Sequence, residues 1–367
     1  MTGAIKLDPA ARPGRIGGMS DDPLTQVFET QAAICESFGS PFYAGLSRRI
    51  AGDIDPIRPL FAPWAGASFE ALMGPAVSLR FLGAIHDLAL SGDDAALTAA
   101  FPPASDADAA WAATKAAVGR EPARIAAFMG HEPQTNEVRR SACLLPGFLT
   151  IAAETRLPLA CLELGASAGL NQLWSRFRYD YGAAGAWGDP ASPLTLTADW
   201  TGPSAPWDAP VRVVRTAACD RSPIDIADPA QRRRLKAYLW PDQTERLQRF
   251  DAAVAMALAA GITVETADAA AWTKANAAPA SDVATVVCHS IFWQYLPAET
   301  QAALANAIAA HGAAATPNAP LAWLRMEPAP GQIVPIELRL TLWPGGRERR
   351  LAIVQAHGAS VAWEDAP

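Results

Sequence analysis

Apolar side chains recur at helical spacing through the first 155 residues. Three segments carry this pattern: one around Val27, one over residues 69–89 and one that begins near Asn136. No run of strands interrupts them. The periodicity predicts a helical N-terminal cap domain over residues 1–155. Within it, residues 1–20 are expected to form a loose tail, because they contain glycine and proline but little periodicity.

After Pro158 the pattern changes to short apolar runs that alternate with amphipathic segments. Leu159–Leu164 is predicted to be a strand, and Gly165–Gly169 a tight turn that leads into a helix. The later predicted strands are Val211–Val214, Ile262–Thr266, Val283–Cys288 and Leu321–Met326, with helices over residues 242–260 and 298–310. Strands that alternate with helices predict a parallel sheet.

The end of the chain has a different period. Apolar and polar residues alternate from Ile336 to Leu342, Pro344–Gly346 turns the chain, and Leu351–Gln355 returns it as an antiparallel hairpin. The fold class expected for residues 156–367 is therefore α/β, a Rossmann-like mixed sheet that ends in this hairpin. A segment rich in proline and tryptophan, residues 181–210, is expected to be an insertion in it.

Composition narrows the function classes. The net charge is −7 and the pI is about 5.3, which argues against nucleic-acid binding, since that affinity depends mainly on Lys and Arg. The 5 cysteines and 5 histidines are scattered without zinc-site spacing, so no metal is expected. No apolar signal core or membrane-spanning stretch is found, and the expected location is the cytoplasm.

Glycines and acids stand where successive predicted strands end. Glu163 and Gly165–Gly169 end the first strand, Asp220 follows the second and Asp268 follows the third. In such sheets, ligands bind outside the carboxyl ends of the strands. Glycine allows close approach of a ligand, and the carboxylates can accept hydrogen bonds from ribose hydroxyls and an exocyclic amine. Their joint placement predicts a cofactor site at this edge.

From about residue 158 to its end, the chain resembles the class I S-adenosylmethionine-dependent methyltransferases. The resemblance rests on the glycine turn, the acidic strand ends and the terminal hairpin, and it implies S-adenosylmethionine as the cofactor. The cofactor-binding residues that it implies are Glu163, Gly165, Ser167, Gly169, Asn171, Asp220, Asp268, Ala269 and His289. The segment Val286–Pro297 resembles the fourth-strand segment of small-molecule methyltransferases, so a small molecule is the expected methyl acceptor.

Three features depart from the methyltransferase pattern. Ser167 stands where the turn usually has its middle glycine. Asp220 lies 57 residues after Glu163, much farther than usual, because the insertion intervenes. The fifth and sixth strands are separated by about nine residues, too few for the helix that normally joins them, so the hairpin is repositioned or the helix is lost.

A closer resemblance, to an uncharacterised bacterial family of unknown function, covers most of the chain. The segments that carry it are Thr135–Val138, Leu162–Asn171, Tyr179–Gly182, Trp187–Pro190, Trp240–Gln243, His289–Tyr295 and Leu324–Pro328. This resemblance supports the fold and names no substrate.

Several residues are candidates for chemistry, each with two interpretations. His289 is a base for methyl transfer or a hydrogen-bonding residue only, and Tyr295 is the second catalytic candidate. Trp293 and Phe292 form an aromatic wall for a substrate or belong to the core. Asn136 reaches the substrate or caps a helix. Arg325 contacts substrate or pairs with a neighbouring acid.

Two other functions remain open. Gly165–Gly169 also matches G-x-S-x-G, the nucleophile elbow of α/β-hydrolases, with Ser167 as nucleophile and Asp268 and His357 or His311 completing a triad. The helical region before the turn and the otherwise unexplained Glu163 argue against it. A non-catalytic binding module with a methyltransferase-like fold is the second alternative. A nicotinamide site is disfavoured, because Ser167 breaks the G-x-G-x-x-G spacing.

Overall fold

The computed structural model describes residues 20–103 and 106–364. The expected loose tail, residues 1–20, lies outside the described residues except for Ser20. The chain divides into two units by its internal contacts. One comprises the chain up to Thr135 and Asp228–Gln248, and the other comprises Asn136–Ala227 and the chain from Arg249 onward.

Helices and strands are distributed unevenly along the chain. The α-helices of the described residues are α1 Pro23–Ser37, α2 Pro41–Gly52, α3 Phe69–Met73, α4 Val77–Ser91, α5 Ala95–Ala100, α6 Ala107–Arg120, α7 Pro122–Met129, α8 Arg140–Thr155, α9 Pro229–Ala237, α10 Thr244–Ala260, α11 Ala269–Asn276 and α12 Ala298–Ala313. The strands there are β1 Leu159–Leu164, β2 Arg178–Asp180, β3 Ala186–Trp187, β4 Thr195–Thr197, β5 Asp199–Thr201, β6 Val213–Asp220, β7 Glu265–Thr266, β8 Ala284–Ser290, β9 Leu321–Pro328, β10 Ile336–Trp343, β11 Arg347–Val354 and β12 Ser360–Trp363. In addition, 3-10 helices cover Arg58–Trp64, Leu170–Arg176, Gly182–Ala184 and Trp293–Tyr295.

The first unit is helical, as the periodicity predicts, but its boundary differs from residue 155. Helix α9 belongs to this unit, because its residues bind two buried polar side chains of α4. The Nδ1 atom of His86 lies 3.0 Å from the carbonyl oxygen of Ala237, and Arg233 pairs with the buried carboxylate of Asp87 at 2.8 Å. Helix α8 lies in the other unit, where it packs on the sheet.

The segment expected as one helix over residues 69–89 is divided into α3 and α4. Pro75 between them has no amide hydrogen to continue the helical bonding. Ala76 has a φ of +54°, a left-handed conformation that ends the first helix before the second begins. Apolar periodicity continues across the break, so the pattern alone does not reveal it.

The second unit is built on a nine-stranded sheet of order β5-β12-β11-β10-β9-β8-β1-β6-β7. The five strands from β9 to β7 are parallel, whereas β10, β11 and β12 each run antiparallel to the preceding strand. The chain leads outward from β1 to β6 and β7 and then returns to β8 on the other side of β1. A topological switch point therefore lies between β1 and β8.

Helices cover both faces of this sheet. On one face, Leu144 and Phe148 of α8 share the lining of a small cavity with Cys161 and Glu163 of β1. The alternate residues Leu162 and Leu164 pack with side chains from α11 and α12 on the other face. The expected α/β architecture is confirmed at this level, as a mixed sheet between helical layers.

Several strands differ from their predicted bounds. The strand expected at Val211–Val214 is β6, which extends to Asp220, and only the last two residues of Ile262–Thr266 form β7. Part of the insertion, with Arg178–Asp180, forms a separate sheet of order β3-β2-β4, and β5 joins the edge of the large sheet beside β12. Strands of two or three residues are too short to produce a visible period. Among the described residues, no helix is long and apolar enough to cross a membrane.

Candidate functional site

The carboxyl ends of β1, β6 and β8 meet at one edge of the sheet. In the strand register, Glu163 lies opposite Ala218 on one side and Cys288 on the other. The turn after β1, Asp220 at the end of β6 and the segment after β8 are therefore neighbours. This edge contains the topological switch point, where ligands bind in sheets of this kind.

The turn after β1 is left-handed at three positions. Gly165, Ser167 and Gly169 have φ values of +64°, +53° and +73°. A Cβ atom on Gly165 would lie 2.1 Å from Cδ2 of Phe292, and one on Gly169 would lie 2.5 Å from Nε2 of Gln172. Both glycines are therefore required by conformation and by space. The close approach to Gly165 is made by the ring of Phe292.

Asp220 positions this turn. Its Oδ2 accepts a hydrogen bond from the amide of Ser167 at 2.9 Å, and its Oδ1 accepts one from the amide of Ser222 at 2.9 Å. The carboxylate thus holds the conformation of the residue that has the strained backbone. Asp220 is the last residue of β6, which is the second of the predicted parallel strands, and the sequence predicts an acid at this strand end.

Asp268 follows the third strand, β7, but its carboxylate has a local role. It is the N-cap of α11 and accepts hydrogen bonds from the amides of Ala270 and Ala271, both at 3.0 Å. Asp268 is exposed, and its neighbour Ala269 is buried. The capping interpretation accounts for Asp268 in this structure.

Glu163 is the most perturbed acid of this edge. Burial raises the pKa of its carboxyl group to about 8, the charge of Asp220 adds to the rise, and the guanidinium of Arg140 opposes it. Within the described chain, Oε2 of Glu163 makes no hydrogen bond. The side chain borders a cavity of about 20 Å³ with polar lining groups from Asn171, Gln172 and Ser290. That volume is large enough for one water molecule and not for a ligand.

Asn136 and Asn171 form a clamp between the start of α8 and the glycine turn. The Oδ1 atom of Asn136 accepts a hydrogen bond from the amide of Leu170 at 2.8 Å. Asn171 accepts one from the hydroxyl of Ser141 at 2.7 Å and donates through Nδ2 to the carbonyl of Glu137 at 3.4 Å. These hydrogen bonds join the start of α8 to the segment that follows the glycine turn, and both asparagine side chains take part in them.

His289 is hydrogen-bonded through both ring nitrogens. Its Nδ1 lies 2.6 Å from Oε1 of Glu327, and its Nε2 accepts a hydrogen bond from Nε1 of Trp323 at 3.0 Å. Because the indole can only donate, the neutral ring carries its proton on Nδ1 and donates to Glu327. The residue is 1% exposed. In this arrangement, His289 has no lone pair for a substrate proton, so it orients Glu327 and Trp323.

Glu327 also holds the segment that follows β8. Its two carboxylate oxygens accept from the amide of Phe292 at 3.0 and 3.1 Å. Ile291, the residue before Phe292, has a φ of +48°, which is unusual for a residue with a β-branched side chain. A strained residue therefore directs the ring of Phe292 onto Gly165.

Aromatic rings surround this histidine on the face of the sheet that α12 covers. Trp293 stacks on His289 with ring centroids 5.7 Å apart, and Trp323 lies 5.5 Å from Trp293. The guanidinium of Arg325 stands 4.0 Å from the centroid of Trp323 and pairs with Glu348. Trp293 is half-buried, so part of this aromatic surface is accessible.

Tyr295 lies at the end of the same segment. Burial raises the pKa of its hydroxyl, while a hydrogen bond from Gln294 and the charge of Arg140 oppose the rise. The hydroxyl therefore remains protonated near neutral pH. Such a group donates a hydrogen bond and is a weak general base.

The hydrolase triad is not assembled in this structure. The hydroxyl of Ser167 makes no hydrogen bond to any described residue. Asp268 caps α11, and Nε2 of His311 lies 3.1 Å from the carbonyl oxygen of Lys274. Ser167 thus lacks the hydrogen-bonded base that activates a nucleophilic serine.

A protein-family model matches residues 25–363, and its description is "Uncharacterized protein conserved in bacteria (DUF2332)". The chain belongs to this family. Comparisons with curated proteins and with solved structures found no match. Family membership agrees with the closer of the two resemblances seen in the sequence and assigns no reaction.

In this DUF2332 chain, the predicted site residues fall on two faces of the sheet. Glu163, Asn171, Asn136 and Asp220 lie toward the α8 side, where cavity and clamp are found. The second group is on the side that α11 and α12 cover, with His289 as its centre and Trp293 and Arg325 beside it. The glycine turn and Phe292 lie where the two groups approach each other.

Sequence reasoning missed three residues of this edge: Arg140, Phe292 as a cover of Gly165, and Trp323. Period-two alternation along β9 places Trp323, Arg325 and Glu327 on one face, so this signal could have grouped them. The position of Arg140 depends on how α8 lies on the sheet, which no local pattern records.

Proposed function

We propose that the second unit binds S-adenosylmethionine at the carboxyl edge of β1 and transfers its methyl group to a small molecule. The observation that carries the proposal is the strand order β7-β6-β1-β8-β9, with a left-handed glycine turn at the switch point. When these five parallel strands are numbered 1 to 5 in the order in which the chain forms them, their order in the sheet is 3-2-1-4-5, as in doubly wound nucleotide-binding sheets. Acids at the ends of β1 and β6, Glu163 and Asp220, add to it.

Two features of the edge fit such a cofactor. The buried Oε2 of Glu163 makes no hydrogen bond within the described residues and is a ready acceptor for a polar group. Gly165 allows a ligand to approach the backbone closely, although Phe292 covers it in this structure. Binding therefore requires the Phe292 ring to move.

In methyl transfer the protein mainly has to orient the cofactor and the acceptor molecule, because the sulfonium of the cofactor supplies an activated methyl group. Asp220 and Glu327 hold the two segments that border the edge, through the amides of Ser167 and Phe292. His289 is a positioning residue that keeps Glu327 in place. Tyr295, protonated near neutral pH, is suited to donate a hydrogen bond to the acceptor molecule.

Trp293, Trp323 and Arg325 support a small, planar methyl acceptor. A half-buried indole offers a stacking surface, and the guanidinium of Arg325, which pairs with Glu348, covers the next ring. An acceptor with an aromatic ring would stack on this surface.

Calorimetric titration of the full chain with S-adenosylhomocysteine tests the proposal, with NADH and adenosine as comparison ligands. We expect S-adenosylhomocysteine to bind one-to-one with micromolar affinity. We expect adenosine to bind much more weakly and NADH not to bind. Glu163→Ala is expected to weaken the binding of S-adenosylhomocysteine at least about tenfold through the lost acceptor. Asp208→Ala, which removes an exposed carboxylate from the insertion, is the matched control.

A folded sample that does not bind S-adenosylhomocysteine would overturn the proposal. An acylating serine probe would then decide whether Ser167 is a nucleophile. Binding without methyl transfer to any compound of a small-molecule screen would instead favour a non-catalytic module.

A further inference from the structure

Arg80 of α4 is a buried cation without an acidic partner among the described residues. The residue is 7% exposed. Its Nε donates to the carbonyl of Pro75 at 2.8 Å, its Nη1 donates to the carbonyl of Met129 at 3.0 Å, and the ring of Trp64 lies 5.9 Å from its guanidinium carbon. Carbonyl groups and an aromatic ring offer only partial negative charge. Because buried charges are normally paired, this one points to an anion that none of the described residues supplies.

A second arginine reaches the same segment from α9. Arg234 lies in the last turn of that helix, and its Nη1 is 3.4 Å from Nε2 of His131. The hydroxyl of Tyr238, which follows α9, donates to the carbonyl of His131 at 3.3 Å. Because Met129 and His131 are two residues apart, both guanidinium groups contact one short stretch of the chain. We call Arg80, Arg234 and His131 the basic cluster.

Two residues are affected by both charges of the basic cluster. Burial lowers the pKa of His131, and the charges of Arg234 and Arg80 lower it further. Burial raises the pKa of Tyr238, and the same two guanidinium groups oppose that rise. The two positive charges therefore lie close to each other around His131, and an anion between them would relieve their repulsion.

The acids whose charges reach this region do not neutralise it. Asp87, which acts on Tyr238, is paired with arginines outside the cluster, Arg124 and Arg233. Asp228 caps α9, and Arg234 lowers its pKa without forming an ion pair with it. Among the described residues, no carboxylate forms an ion pair with either arginine of the basic cluster.

We infer that the basic cluster binds a phosphate group, either as the free ion or as part of a small molecule. Nη2 of Arg80 and Nη2 of Arg234 donate to no described residue. Since Nε2 of His131 faces an N–H of Arg234, the neutral ring carries its proton on Nδ1 and offers a third donor.

A phosphate group fits this set of donors better than a carboxylate does. It presents three or four acceptor oxygens, and a phosphate monoester carries about 1.5 to 2 negative charges near pH 7. Two guanidinium groups can balance that charge with charge-assisted hydrogen bonds. A carboxylate has two oxygens and a single charge. The site lies within the helical unit and is independent of the proposed methyl transfer.

Titration of the full chain with inorganic phosphate tests the inference, followed by calorimetry and by the NMR signals of the histidine rings. We expect one site with a Kd of about 0.1–1 mM, and a shift of the His131 signals over the same concentrations. Acetate is expected to bind about tenfold more weakly. Glycerol 3-phosphate distinguishes the two sources: tighter binding than phosphate would support a phosphorylated small molecule, and equal or weaker binding would support the free ion.

Arg234→Gln is expected to weaken phosphate binding at least about tenfold, because one of the two charges is lost. Arg80→Gln is expected to have a similar effect. Arg48→Gln is the matched control, since it removes an exposed arginine of the same unit that is already paired with Glu36, and the affinity should not change. Thermal unfolding checks that each variant is folded. If Arg80→Gln unfolds, His131→Gln, at an exposed position, takes its place with an expected loss of about three- to tenfold.

Four results would overturn the inference. They are no binding of phosphate up to about 10 mM, acetate that binds as tightly as phosphate, an unchanged affinity in folded Arg234→Gln, and phosphate-dependent shifts confined to the other histidines. The last result would mean that the ion binds elsewhere on the chain.

Discussion

At the scale of single residues, Glu163 makes the protein sensitive to pH. Its pKa of about 8 in the folded chain lies above the ordinary value of 4.5. Between these values the folded chain binds more protons at this site than the unfolded chain, so the free energy of unfolding decreases as pH rises through this window. Protonated Glu163 is tolerated in its buried place, whereas the carboxylate is not.

Glu163→Gln is therefore expected to make the chain more stable than the wild type at pH 8, by up to a few kcal/mol, and equally stable near pH 4. The amide cannot ionise and avoids the cost of burying a charge. Urea unfolding at both pH values measures the difference. An identical pH dependence in the two proteins would contradict the raised pKa, and Asp208→Asn, at an exposed acid, provides the control.

His289 and Glu327 are expected to behave as one unit. Removing either partner leaves the other buried without its hydrogen bond, so each single alanine variant should lose about 2–4 kcal/mol of stability. In a double-mutant cycle the losses should not add, and a coupling energy of about 1–3 kcal/mol should remain. Additive losses would show that the 2.6 Å contact contributes little.

At the scale of elements, the turn after β1 stores strain at a serine. Ser167 has a φ of +53°, and its buried hydroxyl has no hydrogen-bond partner among the described residues. Glycine would relieve the backbone and remove the unpaired hydroxyl. Asp220 would still bind the amide at this position, so the shape of the turn should be retained.

Ser167→Gly is expected to stabilise the chain by about 1 kcal/mol and to leave S-adenosylhomocysteine binding intact. Thermal unfolding and calorimetry measure the two effects. Ala168→Gly, next to it and without a positive φ, is expected to destabilise by a similar amount and serves as the control. Lower stability of Ser167→Gly would mean that the serine side chain supports the turn.

Phe292 links two elements, the segment after β8 and the glycine turn. Because its ring covers Gly165, Phe292→Ala is expected to increase the affinity for S-adenosylhomocysteine several-fold, mainly through faster association. Stopped-flow binding would measure the association rate. Trp293→Ala, which removes the adjacent ring, is the control and should leave this rate unchanged; a slower rate in Phe292→Ala would show that the ring contacts the ligand.

Elements that bury one continuous apolar run were predictable from the sequence. The bounds of β1 agree with Leu159–Leu164, and β8 and β9 are each shifted or extended by only one or two residues. The predictions differ where polar side chains lie inside an element. Arg215 and Thr216 interrupt the apolar pattern of β6, so its start alone was recognised.

The candidate site was predictable only as positions along the chain. Acids at strand ends were found, but whether a carboxylate faces a ligand or a backbone amide depends on local geometry. Asp268 and Asp220 both bind amides, and this choice is invisible in the spacing. Arg140 and Glu163 are brought together by the docking of α8 on the sheet, a contact between distant segments.

At the scale of the whole molecule, the helical unit is discontinuous in sequence. A fragment of residues 20–155 lacks α9, so His86 loses the carbonyl of Ala237 and the buried Asp87 loses Arg233. We expect this fragment to show no cooperative thermal transition. A peptide of residues 228–248 added in excess should restore one, as followed by circular dichroism, whereas a scrambled peptide should not. A cooperative transition of the fragment alone would contradict this.

The same discontinuity sets an order of events on the ribosome. The helical unit is complete only when Gln248 has been made, 113 residues after Thr135. At ordinary synthesis rates of about 5–20 residues per second, this interval lasts roughly 6–23 seconds. During that time β1 and β6 have emerged while β8, which covers the other side of β1, has not. The nascent chain therefore presents an unfinished helical core and an unpaired β1 edge together, a state in which a chaperone that shields apolar surface would raise the yield of folded protein.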